Sequence, residues 1–421
     1  MNKYSTPLLF AVLILTAVNL FTSFNLLDDQ SADASLSAAP SMIGGQDHTG
    51  PYDVDPAWPL PLSSLNLDHQ EWTWGAMQGV FAESEDRVFL IMRGELPVLD
   101  RPTEIPYPDV GPSISFPVTG TPFRNASVGP ITSPGNTGPD GWTEWQGTLG
   151  YDARWEHIIV VVNANGEITE DWSRWDHLFR RPHSITINPY DPDKHIWVVD
   201  DRHHVIYKFT NDGSDLVETF GEPGVPGDDS SHFNRPTFVT WLPNGTMFVA
   251  DGYANSRVVK FDSEGNYLIS WGEAGNPPNE TRPGYFNAVH GIVADPDSGR
   301  LFVTDRTNRR IQAFDFDGNF LYDFSTGPYS VPQYLYISSD RYLWIADYAT
   351  NKILKYSLDG EFLYSWGSMG EWPGAMWNVH GMSVDPEGNL YIAEVNSGRA
   401  QKFFPRERAR QDLLIMEPLI R

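Results

Sequence analysis

Three histidines stand at equivalent points of a repeated sequence pattern, and together they could hold a metal ion. They open the segments His183-Ser184-Ile185, His290-Gly291-Ile292 and His380-Gly381-Met382. Three neutral imidazoles with a position left open for water or substrate suit zinc, and other divalent ions accept the same ligands. One such histidine alone is more often a hydrogen-bonded channel residue. The prediction of a metal site therefore depends on the equivalence of the three.

That equivalence comes from a repeat of roughly 40 to 55 residues, the period of propeller blades. In five segments a short apolar strand ends in an acidic residue, and the acids recur at intervals of 42 to 54 residues. A second strand and a turn follow each acid. Four short strands per unit at this period predict propeller blades. The acids are Asp200, Asp251, Asp305, Asp347 and Glu394.

A sixth unit is expected in the N-terminal half of the chain. Residues 79–82 and 88–92 have the character of its first two strands, and residues 157–162 and 166–169 that of its last two. Between them, Pro97 to Gly150 is an aperiodic insertion rich in proline and glycine. We therefore predict an all-β, six-bladed propeller over residues 72–404. The tail, residues 405–421, has no assignment.

The histidines alternate with other residues around this predicted ring. Aligned at the first strand of each blade, blades two, four and six have His183, His290 and His380, whereas blades three and five have Thr237 and Gln333. Alternate blades of a six-fold propeller are about a third of a turn apart. Three imidazoles at one height would then meet on the axis, as a tris-histidine metal site.

Chain direction predicts which other residues face the same mouth of the ring. If first strands start at that face, second strands end there, so the loops after second strands surround the histidines. These loops contain Arg93, Tyr253, Arg306 and Tyr348. Arg93 comes directly after a buried strand, where a charge needs a partner or a substrate anion. Tyr348 is as well explained by packing. The repeated acids are expected to be structural and to bind the loop backbone.

Charge and composition limit the partners and the compartment. The net charge of −26 argues against nucleic acid or an anionic membrane surface as partner. Lys3, an apolar run from Pro7 to Phe21 and a Ser/Ala-rich stretch predict that residues 1–41 are a signal peptide or an N-terminal membrane anchor with its linker. An extracytoplasmic chain is expected. With no cysteine, it must be stabilised by its core rather than by disulfides.

Several motifs resemble those of a known family built from NHL repeats, the peptidyl-α-hydroxyglycine α-amidating lyases. The sequence VADGYANSRVVKF at residues 249–261, MRGE at 92–95 and DRTNRRIQAF from residue 305 are similar to stretches of that family. The resemblance implies zinc on the three histidines, Tyr253 and Arg93 as catalytic residues and Arg306 as a supporting one. It also implies an enzyme whose small-molecule or peptide substrate has a carboxylate.

The sequence departs from the family at two positions beside the third histidine. Asn378 stands where the family has methionine, and Gly381 stands where the family has an aspartate that binds a structural calcium. The two backbone contributors to that calcium would be Val80 and Ile185. A calcium at this place would lack the carboxylate ligand that the family supplies.

The implied reaction is cleavage of the C–N bond of an N-acyl hemiaminal, which gives an amide and glyoxylate. Tyr253 would act as tyrosinate, and Arg93 would hold the substrate carboxylate in a fork. Two other functions are compatible with the residues: a lactonase-like hydrolase in which the metal activates water, and a non-catalytic NHL binding module. Asn378 also leaves room for a related lyase with a non-peptide substrate.

Overall fold

The structure is a computed structural model, and it describes residues 47–65, 70, 72–97, 154–277, 280–370, 372–395 and 397–416. The predicted leader, nearly all of the 97–150 insertion and the end of the tail lie outside these residues. The described chain contains six antiparallel four-stranded sheets. The predicted all-β, six-bladed propeller is therefore confirmed. No helix among the described residues is long and apolar enough to cross a membrane.

Each blade contributes its strands from the axis outward. Blade 1 consists of Met77–Ser84, Arg87–Met92, Ile159–Val162 and Ile168–Asp171, and blade 2 of Pro182–Ile187, Ile196–Asp200, Val205–Phe209 and Leu216–Phe220. Blade 3 consists of Pro236–Trp241, Met247–Asp251, Arg257–Phe261 and Tyr267–Trp271, and blade 4 of Val289–Asp295, Arg300–Asp305, Arg310–Phe314 and Phe320–Ser325. Blade 5 consists of Pro332–Ile337, Leu343–Asp347, Lys352–Tyr356 and Phe362–Trp366.

Blade 6 joins the two ends of the described chain. Its inner strands are Val379–Val384, Leu390–Glu394 and Arg399–Pro405, and its outermost strand is Tyr52–Asp55, in which Tyr52 pairs with Pro405. This strand precedes the predicted range of 72–404. The innermost strand of every blade contacts that of the next, from blade 1 round to blade 6 and back to blade 1. The ring is therefore closed. A strand that precedes blade 1 in the chain completes blade 6 and so connects the two ends of the ring.

A few short elements lie outside the blades. Two two-stranded sheets pair Trp72–Trp74 with Glu95–Pro97 and Glu273–Ala274 with Tyr285–Phe286. The helical segments in the described part of the chain are one α-helix, Leu62–Leu65, and three 3₁₀ helices, Ser173–Leu178, Arg306–Asn308 and Gln411–Leu413.

Burial between blades explains the apolar runs of the sequence. Second strands such as Met247–Asp251 and Leu343–Asp347 are buried along their whole length, because a neighbouring blade covers each face. The outermost strand Phe320–Ser325 instead alternates between half-buried and exposed residues. Each buried branched or aromatic side chain contributes about 1.5–3 kcal/mol by leaving water. The core thus lies between blades, and the innermost strands face the axis.

Candidate metal centre and active site

The three predicted metal ligands meet on the axis. His183 and His290 are fully buried and His380 is 2% exposed. Their ring centroids are 4.6 to 5.2 Å apart, and one nitrogen of each ring lies within 4.8 Å of the others. The predicted convergence of alternate blades is therefore present in the structure.

Blades one, three and five orient these imidazoles through their backbone. The Nδ1 atoms of His183, His290 and His380 lie 2.9, 2.7 and 2.6 Å from the carbonyl oxygens of Thr237, Gln333 and Gln78. A carbonyl can only accept a hydrogen bond, so each Nδ1 carries the hydrogen and each Nε2 presents a lone pair. A backbone carbonyl behind the imidazole is the arrangement typical of metal-binding histidines.

The same burial keeps the imidazoles neutral. Loss of hydration lowers the pKa of His183 and His290 well below the usual value, and neighbouring cationic groups add to the effect. Burial lowers the pKa of His380 to about 3. A metal ion therefore has no proton to displace from these nitrogens at neutral pH.

A bulge in each innermost strand turns the side chain toward the axis. Near the start of each innermost strand, one or two residues have no partner on the second strand. These unpaired residues are His183, Thr237 and Phe238, His290 and Gly291, Gln333, His380, and Gln78. A bulge bends the strand and re-aims one residue. The six bulges thus form a ring of polar residues, His alternating with Gln or Thr.

The repeated acids fix the chain that enters the bulges of blades 2 to 6. Asp305 accepts a hydrogen bond from the backbone N–H of Asn287, three residues before His290, at 2.8 Å. Glu394 does the same at 2.7 Å for Trp377, three residues before His380. The carboxylates therefore have the structural role expected of them. They also help to place the histidines.

Asn378, one of the two departures from the family, has a backbone role in this entry segment. It lies two residues before His380 and has a left-handed conformation, with φ of 55°. Ala288 has the same relation to His290, with φ of 58°. Asparagine tolerates this conformation better than most residues. Its side-chain amide donates to the carbonyl of Tyr348 at 2.9 Å. This bond connects the segment before the third histidine to the loop after the second strand of blade 5.

Tyr253 reaches over the histidines from the loop after the second strand of blade 3. Its hydroxyl oxygen is 3.1 Å from Nε2 of His183 and 3.0 Å from Nε2 of His290, and Nη1 of Arg306 donates to it at 3.2 Å. A Cβ at Gly252 would lie 1.8 Å from the carbonyl oxygen of Val289. Only glycine allows this close approach, which brings Tyr253 to the axis.

The contacts of Tyr253 fit a cation at this point. One phenolic hydrogen faces two imidazole lone pairs, so it can satisfy only one of them. At the other imidazole, a lone pair of the Tyr253 oxygen and the lone pair of Nε2 face each other at about 3 Å, with no hydrogen between them. A divalent cation among these atoms would remove that conflict, and three neutral nitrogens with an open position suit zinc.

Arg93 lies beside this cluster as a buried cation. It is 2% exposed, and its Nε has no hydrogen-bond partner among the described residues. Burial first, and then the charge of Arg181, lower its pKa to about 9. Such a group is stabilised by an anion. Of the other predicted loop residues, Tyr348 has the guanidinium of Arg306 5.3 Å from its ring centroid.

Three further charged residues surround Tyr253 and were not predicted. The guanidinium of Arg235 is 4.7 Å from the ring centroid of Tyr253, and that of Arg181 is 5.8 Å from it. Asp201, which is fully buried, binds both arginines. The two arginines could have been found in the sequence from the dipeptide Arg-Pro, which precedes the axial residue in both blade 2 and blade 3.

The donors near Gly381 do not fit calcium. A Cβ at Gly381 would have ordinary contacts with Gly79 and Val80, so there is room for a side chain but no carboxylate. Below the histidines, Ile185 and Phe238 line an apolar cavity of about 370 Å³. Calcium needs six to eight oxygen ligands, and the carboxylate that would supply one of them is missing at Gly381.

Comparisons with known proteins show where this chain has relatives. No family model matches it. A probable peptidyl-α-hydroxyglycine α-amidating lyase of Caenorhabditis elegans is 39% identical over 156 residues, which is 37% of this chain and 42% of that protein. Peptidyl-α-hydroxyglycine α-amidating lyase 1 of Drosophila melanogaster is 27% identical over 296 residues, 66% of this chain and 54% of that protein. The chain thus spans about half the length of these curated relatives.

Among solved structures, virginiamycin B lyase from Staphylococcus aureus is 16% identical, with 84% of this chain and 99% of that chain covered and a TM-score of 0.45. Nothing about function follows from so distant a likeness. The chain is a six-bladed propeller that resembles the peptidyl-α-hydroxyglycine α-amidating lyases in sequence.

Proposed function

We propose that the chain is a zinc-dependent lyase that cleaves the C–N bond of a peptidyl-α-hydroxyglycine-like N-acyl hemiaminal to an amide and glyoxylate. The observation that carries the proposal is the position of Tyr253, whose hydroxyl lies 3.1 and 3.0 Å from two of the three axial imidazoles. The similarity to amidating lyases over part of the chain supports the same reaction. The predicted leader supports an extracytoplasmic enzyme.

The metal would be held by Nε2 of His183, His290 and His380, which present three neutral lone pairs. When bound, zinc would supply Lewis-acid chemistry at the substrate hydroxyl and make its proton easier to remove. Other divalent ions could fill the same role. Metal identity is therefore part of the test below.

Proton transfer is assigned to Tyr253. In our proposal its phenolate oxygen, close to the guanidinium group of Arg306, takes the proton of the substrate hydroxyl. The electron pair of that O–H bond forms the aldehyde C=O, and the pair of the C–N bond leaves on nitrogen. Tyr253 then returns the proton to that nitrogen, which gives a neutral amide. No water is consumed.

Arg93 is assigned to the substrate carboxylate. A buried guanidinium with an unpaired Nε can bind a carboxylate through two parallel hydrogen bonds. This would place the hydroxyl-bearing carbon at a fixed distance from the tyrosine oxygen. Substrates without the acid would leave Arg93 buried and unpaired, so they would react poorly. The partner expected is thus a small molecule or peptide with a terminal carboxylate.

Metal analysis of the purified protein, together with release of glyoxylate from an N-acyl-α-hydroxyglycine, tests the proposal. We expect about one zinc per chain and glyoxylate formed in equal amount to the amide. Bound zinc without glyoxylate, but with hydrolysis of lactones or esters, would favour the lactonase-like hydrolase. A wild-type protein that takes up no metal in stoichiometric amount would refute both enzymes and favour the NHL binding module.

A further inference from the structure

Cationic side chains around Tyr253 outnumber the carboxylates that could neutralise them. Four guanidinium groups, from four blades or the loops that enter them, face the tyrosine or its immediate neighbours. Among the described residues, Arg93 and Arg306 form no ion pair with a carboxylate. The four are Arg93, Arg181, Arg235 and Arg306.

One carboxylate serves the other two arginines. Nη1 of Arg181 lies 2.9 Å from Oδ2 of Asp201, and Nε and Nη2 of Arg235 lie 2.9 and 2.8 Å from the same oxygen. The arginine side chains are 18% and 22% exposed, whereas Asp201 is fully buried. Two cations on one carboxylate oxygen keep a net positive charge. The Nε of Arg181 is buried without a partner among the described residues.

This excess of positive charge is unusual in a chain with a net charge of −26. Nearby like charges are costly: the charge of Arg181 helps to lower the pKa of Arg93, after burial. Buried cations persist where an anion binds between them. The cluster therefore indicates a ligand with negative charge. The number of arginines in the cluster indicates how many negative charges that ligand has.

A single carboxylate is too small for the whole cluster. The proposed function already pairs the glyoxylate carboxylate with the fork of Arg93, and the one carboxylate that Arg181 and Arg235 share, Asp201, leaves them with an excess of positive charge. Arg181 and Arg235 enter from blades 2 and 3, and Arg235 stacks on the ring of Tyr253 at 4.7 Å. Because the hydroxyglycine part of the substrate has one carboxylate, a second negative charge must lie on the acyl part.

We propose that Arg181 and Arg235, held together by Asp201, form a second anion subsite, and that the preferred substrate has an acidic group on the acyl side of the scissile bond. This inference rests on the proposed function for the identity of the substrate. The subsite itself rests on the three contacts to Asp201. Its chemistry suits an aspartyl or glutamyl residue directly before the hydroxyglycine.

The test compares two substrates that differ only in charge, with glutamate or glutamine before the α-hydroxyglycine. The wild-type kcat/KM should be at least about tenfold higher for the glutamate substrate, the effect of one charge-assisted hydrogen bond. Arg235→Gln and Arg181→Gln should lose this preference. Arg341→Gln is the matched control and should keep it, because Arg341 also bridges to a buried aspartate, Asp295 at 2.6 Å, from a turn of blade 5 at the opposite face.

A binding measurement separates the subsite from the reaction. Calorimetry on the zinc-loaded protein should show glutarate binding at least about tenfold more tightly than butyrate, and Arg235→Gln should abolish the difference. If neither substrate is turned over but this difference is found, the proposed function fails and the subsite stands. Equal kcat/KM for both substrates with equal binding of both acids would overturn the inference. So would an Arg235→Gln variant that lowers kcat equally for both substrates, because that would mean that Arg235 only positions Tyr253.

Discussion

Replacing Tyr253 by phenylalanine removes one oxygen atom from the centre of the candidate site and leaves the ring in place. That oxygen has contacts of 3.1, 3.0 and 3.2 Å with His183, His290 and Arg306. The ring keeps its stacking on Arg235, at 4.7 Å. The substitution therefore separates proton transfer from packing.

The expected loss is in kcat. Acid–base catalysis by a positioned side chain contributes about 10²- to 10⁴-fold, which corresponds to about 2.7–5.4 kcal/mol of activation free energy. Stability should change by no more than about 1 kcal/mol, the net value of an ordinary hydrogen bond. Metal content should be unchanged, because the Nδ1 hydrogen bonds that orient the three imidazoles do not involve Tyr253.

The assay is glyoxylate release at saturating substrate, with metal content and thermal unfolding measured on the same preparation. Tyr348→Phe is the matched control, since its ring also lies beside Arg306, at 5.3 Å, and it should retain nearly full activity. A metal-loaded Tyr253→Phe enzyme within tenfold of wild type would refute the role of this phenol in proton transfer. The lyase reaction would then need a base other than Tyr253.

Three further outcomes are expected. His290→Ala should weaken metal binding more than about 100-fold in a competition with a chromophoric chelator, because loss of a residue that merely orients a ligand already costs 10- to 100-fold. In the metal-free protein, the free energy of unfolding should fall as pH drops from about 6.5 towards 3, since the unfolded chain binds a proton that folded His380 does not; His380→Gln should make this slope shallower by about 1.4 kcal/mol per pH unit in urea titrations. Asp305→Ala should cost about 1–3 kcal/mol in the same titrations, because the buried Nε of Arg310 loses its acceptor although Asp323 still pairs with Nη1, whereas Asp359→Ala breaks an exposed pair and should cost under about 1 kcal/mol.

The sequence predicts the parts of this molecule that repeat. The apolar strands, their terminal acids and the alternation of histidine with threonine or glutamine all recur with one period, so their places in the fold follow from the place of one of them. The closing strand Tyr52–Asp55 does not belong to that period. It has four residues, lies before the first blade, and pairs with a strand that ends about 350 residues later in the chain.

The sequence also does not predict which side chains of different loops contact one another. Arg181 and Arg235 follow the same Arg-Pro pattern, but their common partner Asp201 comes from a different loop. Periodicity places each loop at the mouth of the ring and does not say which side chains meet there. Chain direction places Tyr253 at the mouth of the ring and the resemblance implies its catalytic role, but its approach to the axis depends on Gly252 and the contact of Gly252 with Val289.

The bulge in every innermost strand explains why metal ligands and their supports alternate. In blades two, four and six it turns a histidine toward the axis. In blades one, three and five it takes the axial residue out of the pairing with the second strand, so the carbonyl of Thr237, for example, is free to accept the imidazole N–H of His183 at 2.9 Å. Proline directly before the axial residue in three blades, as at Pro236, favours this break because it has no N–H to pair. The same bulge thus presents a metal ligand where its side chain is histidine, and frees a carbonyl to orient a ligand where it is threonine or glutamine. A shift of one residue in an odd-numbered blade would therefore disorder the metal site although every histidine remained.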